Sequence, residues 1–242
     1  MTVSVSNRLR NNPVTRWMWR WLILCALAGL CLQLYFLLAT LSLNLWQPPS
    51  TAFQRTAIWQ NLVQQRAVRW QHTPVSGAAI SDHARRAVIA SEDSLFFSHR
   101  GVDWQALRNA WQSNLQSERV LGGSTITQQL AKNLFLSGER SFVRKGQELL
   151  LAWMLEAALP KQRILDIYLN QIEWGDSIYG IEAAARHYFG TSARQLSAAQ
   201  AAKLAVLLPS PRRLGANPHS RYVNQRTRVI VQRMGAVELP GK

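Results

Sequence analysis

The chain has 242 residues, with 28 Lys and Arg against 13 Asp and Glu for a formal net charge of +15. Its composition, 48% apolar and 17% charged, is rich enough to bury a core, and the length suits one globular domain with a short appendage. Cys25 and Cys31 share one apolar run, which excludes a disulfide framework, and the five His are spaced too widely for a His-x-x-x-His zinc site. No Gly-rich loop ends in Gly-Lys-Ser or Gly-Lys-Thr and no Gly-x-Ser-x-Gly elbow occurs, so P-loop and α/β-hydrolase chemistry lack their signatures.

Residues 1–21 form a basic tail containing Arg8, Arg10, Arg16 and Arg20 and no acid. Residues 22–43 follow as an uncharged apolar run. As a helix this run reaches roughly 33 Å, enough for a bilayer core of about 30 Å. Trp17, Trp19, Trp21 and Trp46 flank it, where amphipathic rings favour the interface. The run exceeds the usual signal-peptide core and lacks a small-x-small cleavage site, so a retained anchor is expected over a cleaved signal. The preceding arginines place the N-terminus in the cytoplasm and the domain outside it. The part from about residue 50 onward still carries +11, because only four of the basic residues lie before it. Outside the cytoplasm nucleic acid is scarce, so an anionic lipid surface or a phosphorylated lipid fits that charge better, and charge alone does not separate the two.

Residues 44–79, with Pro48, Pro49, Pro74 and Gly77, read as a linker and membrane-proximal segment, and 80–242 as the domain. Asp82 is placed to cap a helix toward Ser91, and Asp103 one bearing Trp104, Leu107, Trp111 and Leu115. Ser124 or Thr125 opens a helix to Leu134, and another spans about Arg144 to Leu159, before Pro160. Further helices are expected over Gln162–Asn170, over Gly180–Phe189 with a stop at Gly190, from Ser197 with Gln200 as a capping box, and over Tyr222–Met234. No alternating strand is evident, so the fold class is all-α. Leu149, Leu150, Trp153 and Met154 are expected in the core.

Four clusters carry chemistry. The first runs from Glu92 to Gly101 at a helix end, where acids oppose the helix dipole. The second, Gly122 to Asn133, puts Thr125, Gln129 and Lys132 on one helical side behind two glycines. That pattern is an anion site at a helix start or simply a solvated polar face. The third holds Arg140, Arg144, Lys145 and Glu148, an ordinary surface pair or an acid held among cations facing a pocket. The fourth runs from Lys161 to Asn170, followed by Glu173, Gly175 and Tyr179 to Ile181.

Together these clusters resemble the peptidoglycan glycosyltransferases, the monofunctional transglycosylases that also form the polymerase module of class A penicillin-binding proteins. Glu-Asp-x-x-Phe-x-x-His-x-Gly matches Glu92 to Gly101, with Phe97 an additional aromatic. Gly-x-Ser-Thr-Ile-Thr-Gln-Gln-x-x-Lys-Asn matches Gly122 to Asn133, and Arg-Lys-x-x-Glu matches Arg144 to Glu148. The chain departs from the pattern at Asp166 and Gln200, where the family commonly has Glu. The match runs from about Ile80 to Met234. No lysine follows a serine by three residues, so a transpeptidase module lacks its Ser-x-x-Lys and the stand-alone anchored form is expected.

The resemblance implies a lysozyme-like helical domain behind a single N-terminal transmembrane helix. It implies that lipid II and the nascent glycan strand are the substrates, with other cell-wall synthesis proteins as neighbours and no nucleic acid. Glu92 and Glu148 are the implied catalytic residues, Glu92 as the base, with apolar neighbours such as Phe96 able to raise its pKa. Substrate contacts are implied for Asp93, Ser124, Thr125, Gln128, Gln129, Lys132, Arg140, Arg144 and Lys145. His99 is expected to be structural. No cofactor is obligatory, no residue is assigned as a metal ligand, and a divalent cation (Mg or Mn) is compatible with the diphosphate. Phe135, Leu136, Phe142 and Val143 are expected to enter the outer leaflet or to fold onto the core. A glycan-cutting hydrolase, also built on two carboxylates, and a non-catalytic scaffold are the rival readings.

Overall fold

The computed structural model describes residues 13–65, 67, 69–116, 123–139 and 141–240, the side chains at 111 and 113–116 excepted. Helix α1, Pro13–Ser42, has 30 residues and is long and apolar enough to cross a membrane. It starts nine residues before the expected Leu22, with proline at the first helical position, where its missing N–H costs nothing. The charges of Arg16 and Arg20 therefore ride on the same helix as the apolar run, with the Arg20 guanidinium 6.0 Å from the Trp17 ring centroid.

Residues 43–240 form a second unit. Its first helix, α2 (Ala52–Val63), lies inside the segment expected to be a linker. Thr51 caps it and Gln54 completes a capping box, which outweighs the two prolines just upstream. The Gln54 amide then donates to the Gln171 carbonyl, 3.0 Å away, fixing the helix to the core.

Helix α3 (Asp82–Glu92) is capped by Ser81, not Asp82. The Ser81 hydroxyl accepts from the Ala84 N–H, while Asp82 sits in the first turn, favourably at the positive dipole end. Helix α4 (Trp104–Gln116) is capped by Asp103 as expected, through the Ala106 N–H at 2.8 Å. Trp104 is exposed, and the Trp111 and Leu115 side chains lie outside the described part.

Helix α5 (Ile126–Phe135) starts from Thr125, α6 is Phe142–Ala158, and α7 is Lys161–Gln171. Helix α7 is the centre of the domain, with Ile164, Leu165, Ile167, Tyr168 and Leu169 all buried. Helix α5 packs against both α6 and α7.

A small sheet, not expected from the sequence, follows. Strand β1 (Gln71–His72) runs parallel to β3 (Ile178–Tyr179), which pairs antiparallel with β2 (Glu173–Gly175). Strands of two or three residues are too short to show an alternation. Helix α8 (Ile181–Phe189) ends at Gly190 in the left-handed conformation, as read from the sequence. Helix α9 (Ala198–Leu207) has the expected Ser197–Gln200 capping box. There Gln200 meets the Ser197 N–H through its amide oxygen, as a glutamate would, so the departure at this position changes no bond of the cap. A short α10 (Pro211–Gly215) precedes α11 (Arg221–Met234), and α3, α9 and α11 pack on one another.

The other departure, Asp166, pairs with Arg85 at 2.8 Å and lies beside Gly77, where a Cβ would meet the carboxylate. The shorter acid fits a tight structural corner. Helix α6 corrects one expectation outright. Its buried face is Glu148, Leu151, Ala152 and Leu155, whereas Leu150 and Trp153 are exposed, and Leu149 and Met154 are half-buried.

Candidate active site

Glu92 closes α3 and faces a cleft of about 480 Å³ that it shares with Asp93, Ser124, Thr125 and Arg233. The carboxylate is half-buried and held by two donors. Gln129 Nε2 donates to Oε2 at 2.9 Å, and the Ser91 hydroxyl lies 3.4 Å from Oε1. The Gln129 amide is itself oriented from behind, because the fully buried Tyr168 hydroxyl donates to its Oε1 at 2.8 Å. Burial pushes the Glu92 carboxyl above its ordinary value and Asp93 adds a push, against the lowering bonds from Gln129 and Ser91. Burial also drives the Tyr168 phenol well above its ordinary value, with Glu92 and Asp93 adding to it, so it stays a neutral donor. Phe96 is fully buried, with the Lys161 ammonium 4.4 Å from its ring centroid.

Tyr168→Phe removes the group that fixes Gln129 and takes the partner from the amide oxygen of this half-buried side chain. A loss of about 1–2 kcal/mol in denaturant-measured stability is expected, with a several-fold fall in turnover from a misaligned Glu92. Unchanged values for both would show that the Tyr168–Gln129 bond positions nothing.

Asp93 stands at the carboxyl end of α3 but also at the amino end of α5, where its Oδ2 accepts the Ile126 N–H at 3.0 Å. A charge that opposes one helix dipole is thereby favourable to another. His99 Nε2 meets both Asp93 oxygens, at 2.9 and 3.0 Å, a fixing contact for the acid beside Glu92. Thr125 and Gln128 are occupied by a capping box, and the Thr125 hydroxyl also donates to the Gly101 carbonyl at 2.6 Å. Gly101 has φ +82°, a conformation that glycine adopts without strain. Of the two readings open for this helix start, the hydrogen bonds weigh against the anion site: Asp93 and the capping box satisfy the N–H groups of Ile126, Gln128 and Thr125. With Thr125 as the cap, only Gln129 and Lys132 of the expected polar trio lie within α5, and Lys132 is half-buried in its last turn.

The third cluster is assembled on α6. Glu148 is 3% exposed, with Arg144 Nη1 2.8 Å from one oxygen and the Lys145 ammonium bonded to the other. Lys145 also donates to the Ser124 hydroxyl at 3.2 Å, which links the cation group to the cleft wall. Arg140 and Gly122 lie outside the described residues. Sequence reasoning missed Arg233, whose position in α11 comes to the cleft through the packing of α11 on α3. Both oxygens of Glu148 are taken by cations, and among the described residues no group of three His, Cys, Asp or Glu is placed to hold a metal ion. These residues do not form a protein cage for a divalent ion.

The transglycosylase family model matches residues 60–235. A biosynthetic peptidoglycan transglycosylase of Herminiimonas arsenicoxydans is 49% identical over 225 residues, covering 91% of this chain and 96% of that protein. Proteins with the same description in Paraburkholderia phytofirmans and Burkholderia ambifaria are 47% and 48% identical, covering 96% and 98% of this chain and the same shares of their own lengths. With a family match over most of its length and relatives of this similarity end to end, the chain belongs to the transglycosylase family.

Proposed function

We propose that this protein polymerises the glycan chains of peptidoglycan from lipid II. The observation that carries this reading is the shared cleft. A desolvated glutamate, oriented by Gln129, lies on one wall, and Ser124, which receives the Lys145 ammonium, lies on another. An inverting displacement needs both features. Glu92 takes the proton of the acceptor 4-hydroxyl as that oxygen bonds to the anomeric carbon of the growing chain. The bond to the polyprenyl diphosphate breaks, and its electron pair leaves with the diphosphate. Lys132, Arg140, Arg144 and Lys145, joined by Arg233, are assigned to the charge that grows on that leaving group. Glu148 holds Arg144 and Lys145 in place for it. Asp93, Thr125 and Gln128 build the framework, and Ser124 and Gln129 face the substrate side.

A hydrolase acting on neutral glycosidic links has little use for such a cation set. Incubation with labelled lipid II and, separately, with finished glycan distinguishes the two: polymer from the first supports this reading, and fragments from the second alone would overturn it. The positive N-terminal flank supports a cytoplasmic N-terminus, with α1 spanning the bacterial cytoplasmic membrane and the domain on its outer side.

Phe142 and Val143 are 98% and 85% exposed, and Phe135 and Leu136 are half-buried beside them in sequence. This favours lipid entry over folding onto the core for the 135–143 segment. Phe135→Ser with Leu136→Ser should lower turnover in membranes at least fivefold, measured without detergent. Unchanged turnover would remove the segment from lipid entry.

A further inference from the structure

A second hollow, of about 490 Å³, lies at the end of α3 away from Glu92 and has no role in the site just described. Ser81, Asp82, His83 and Arg86 contribute to its wall from the start of α3, and Arg194 from the single 3-10 turn Ala193–Gln195. Its frame is fixed by hydrogen bonds. The Ala193 carbonyl accepts the Ser81 N–H at 3.1 Å, and the Ala193 N–H donates to the buried Glu182 of α8 at 2.7 Å. Arg194 is thereby carried to the start of α3 without a bond from its own side chain.

The charge in this hollow is one-sided. Among the described residues, the side chains of His83, Arg86 and Arg194 make no hydrogen bond or ion pair. The acids around them are already engaged. Asp166 pairs with Arg85 at 2.8 Å, and Glu182 gives one oxygen to Arg186 and the other to the Ala193 N–H. Asp82, the acid in the wall itself, lies 3.7 Å from Arg85. Arg85 is in turn held inward by the Ile80 and Gly77 carbonyls, at 2.7 and 2.6 Å. Two guanidiniums, charged at any working pH, therefore border one concavity with their own carboxylates still to be supplied. A concave site of one sign focuses its field, and each guanidinium fork fits a carboxylate through two parallel N–H···O bonds.

The position of the hollow points to the source of those carboxylates. Arg86 and Ala90 are four residues apart on α3, hence on one face, and Ala90 lines the active cleft. One helical turn, roughly 6 Å along the axis, separates the two walls. We infer that the hollow receives the carboxylates of the short peptide that each repeating unit of lipid II carries, with Arg86 and Arg194 as their partners. This rests on the proposed function and deepens it, because it makes the peptide, and not only the sugars and diphosphate, a recognised part of the substrate.

The test uses the full chain in phosphatidylethanolamine–phosphatidylglycerol nanodiscs with ¹⁵N-labelled arginine, titrated with a soluble disaccharide-peptide fragment of peptidoglycan. The Nε–H signals of Arg86 and Arg194, assigned through Arg86→Gln and Arg194→Gln, are expected to shift with this fragment. They should stay still with the same fragment amidated at its carboxylates or stripped of its peptide. No shift at either arginine, or equal shifts with the amidated fragment, overturns the inference. A response to inorganic phosphate without one to the fragment overturns it too, since the hollow would then hold a plain anion. In a second arm, Arg86→Gln with Arg194→Gln, which removes no bond of the fold, should raise KM for lipid II at least fivefold and keep kcat within twofold. For carboxyl-amidated lipid II the KM of the double variant should stay within twofold of the wild-type value. Equal KM ratios for the two substrates overturn the inference. If the wild type makes no polymer at all, the proposed function fails while the fragment titration still decides the hollow.

Discussion

Glu92→Gln should abolish polymer formation, lowering the single-turnover rate by about 10³-fold, the scale of a lost general base. The substitution keeps the size of the side chain and still offers an oxygen to the Gln129 amide, so the α3 end and the cleft should persist. A pH profile separates this role from a merely structural one. Turnover in the wild type requires the carboxylate, so kcat/KM should rise with pH through a midpoint above the ordinary glutamate value of about 4.3, because burial raises the folded-state value. That acid limb should vanish in the variant. Stability runs the opposite way. A carboxyl whose folded pKa is raised contributes stability that is full below the unfolded value and is lost as pH rises through the folded one. At pH 7 the wild type therefore carries the cost of a desolvated charge that Glu92→Gln lacks, and the variant should melt at the same or a higher temperature. Near pH 4 the two should converge. Substantial polymer from the folded variant would end the assignment of Glu92 as the base.

What the sequence disclosed and what it hid divide along physical lines. Caps are local, so Ser197 with Gln200, Asp103, and the stop at Gly190 were readable, and only the family resemblance implied a shared site for Glu92, Ser124 and Lys145. Helix α2 was equally local, since Thr51 and Gln54 spell a capping box, but Pro48 and Pro49 drew attention to a break just before it. In the helix expected over Gln162–Asn170, the spacing of Tyr168 with Ile164 and Leu165 marks an apolar face. The Tyr168 ring is indeed in the core, and only the packing of α5 on α7 reveals that its hydroxyl reaches Gln129. Arg233 is one arginine among several on α11, and nothing in its spacing distinguishes it. Periodicity finds that α6 has an apolar side without saying which side is inside. The buried side carries a glutamate, and its burial is made tolerable only by Arg144 and Lys145.

That buried glutamate gives the second large expected effect. Glu148→Ala should cost about 3 kcal/mol of unfolding free energy, the lower part of the range for breaking a buried ion pair, because Lys145 keeps more than a third of its side chain in solvent. The remaining two cations would face each other beside Ser124 with no charge between them, and Lys145 would lose the partner that holds it at the cleft. Turnover should fall at least a hundredfold while the acid limb of kcat/KM keeps its midpoint, since that limb belongs to Glu92. A limb that moved or vanished in Glu148→Gln would instead make Glu148 the proton acceptor. The triple variant Arg144→Met, Lys145→Met and Glu148→Leu separates folding from chemistry. Replacing a whole buried charge cluster by apolar side chains is often neutral or stabilising, so the triple variant should recover most of the stability lost in Glu148→Ala. It should recover none of the turnover, because the groups assigned to the departing diphosphate are gone. Recovery of both would mean that this cluster only supports the fold.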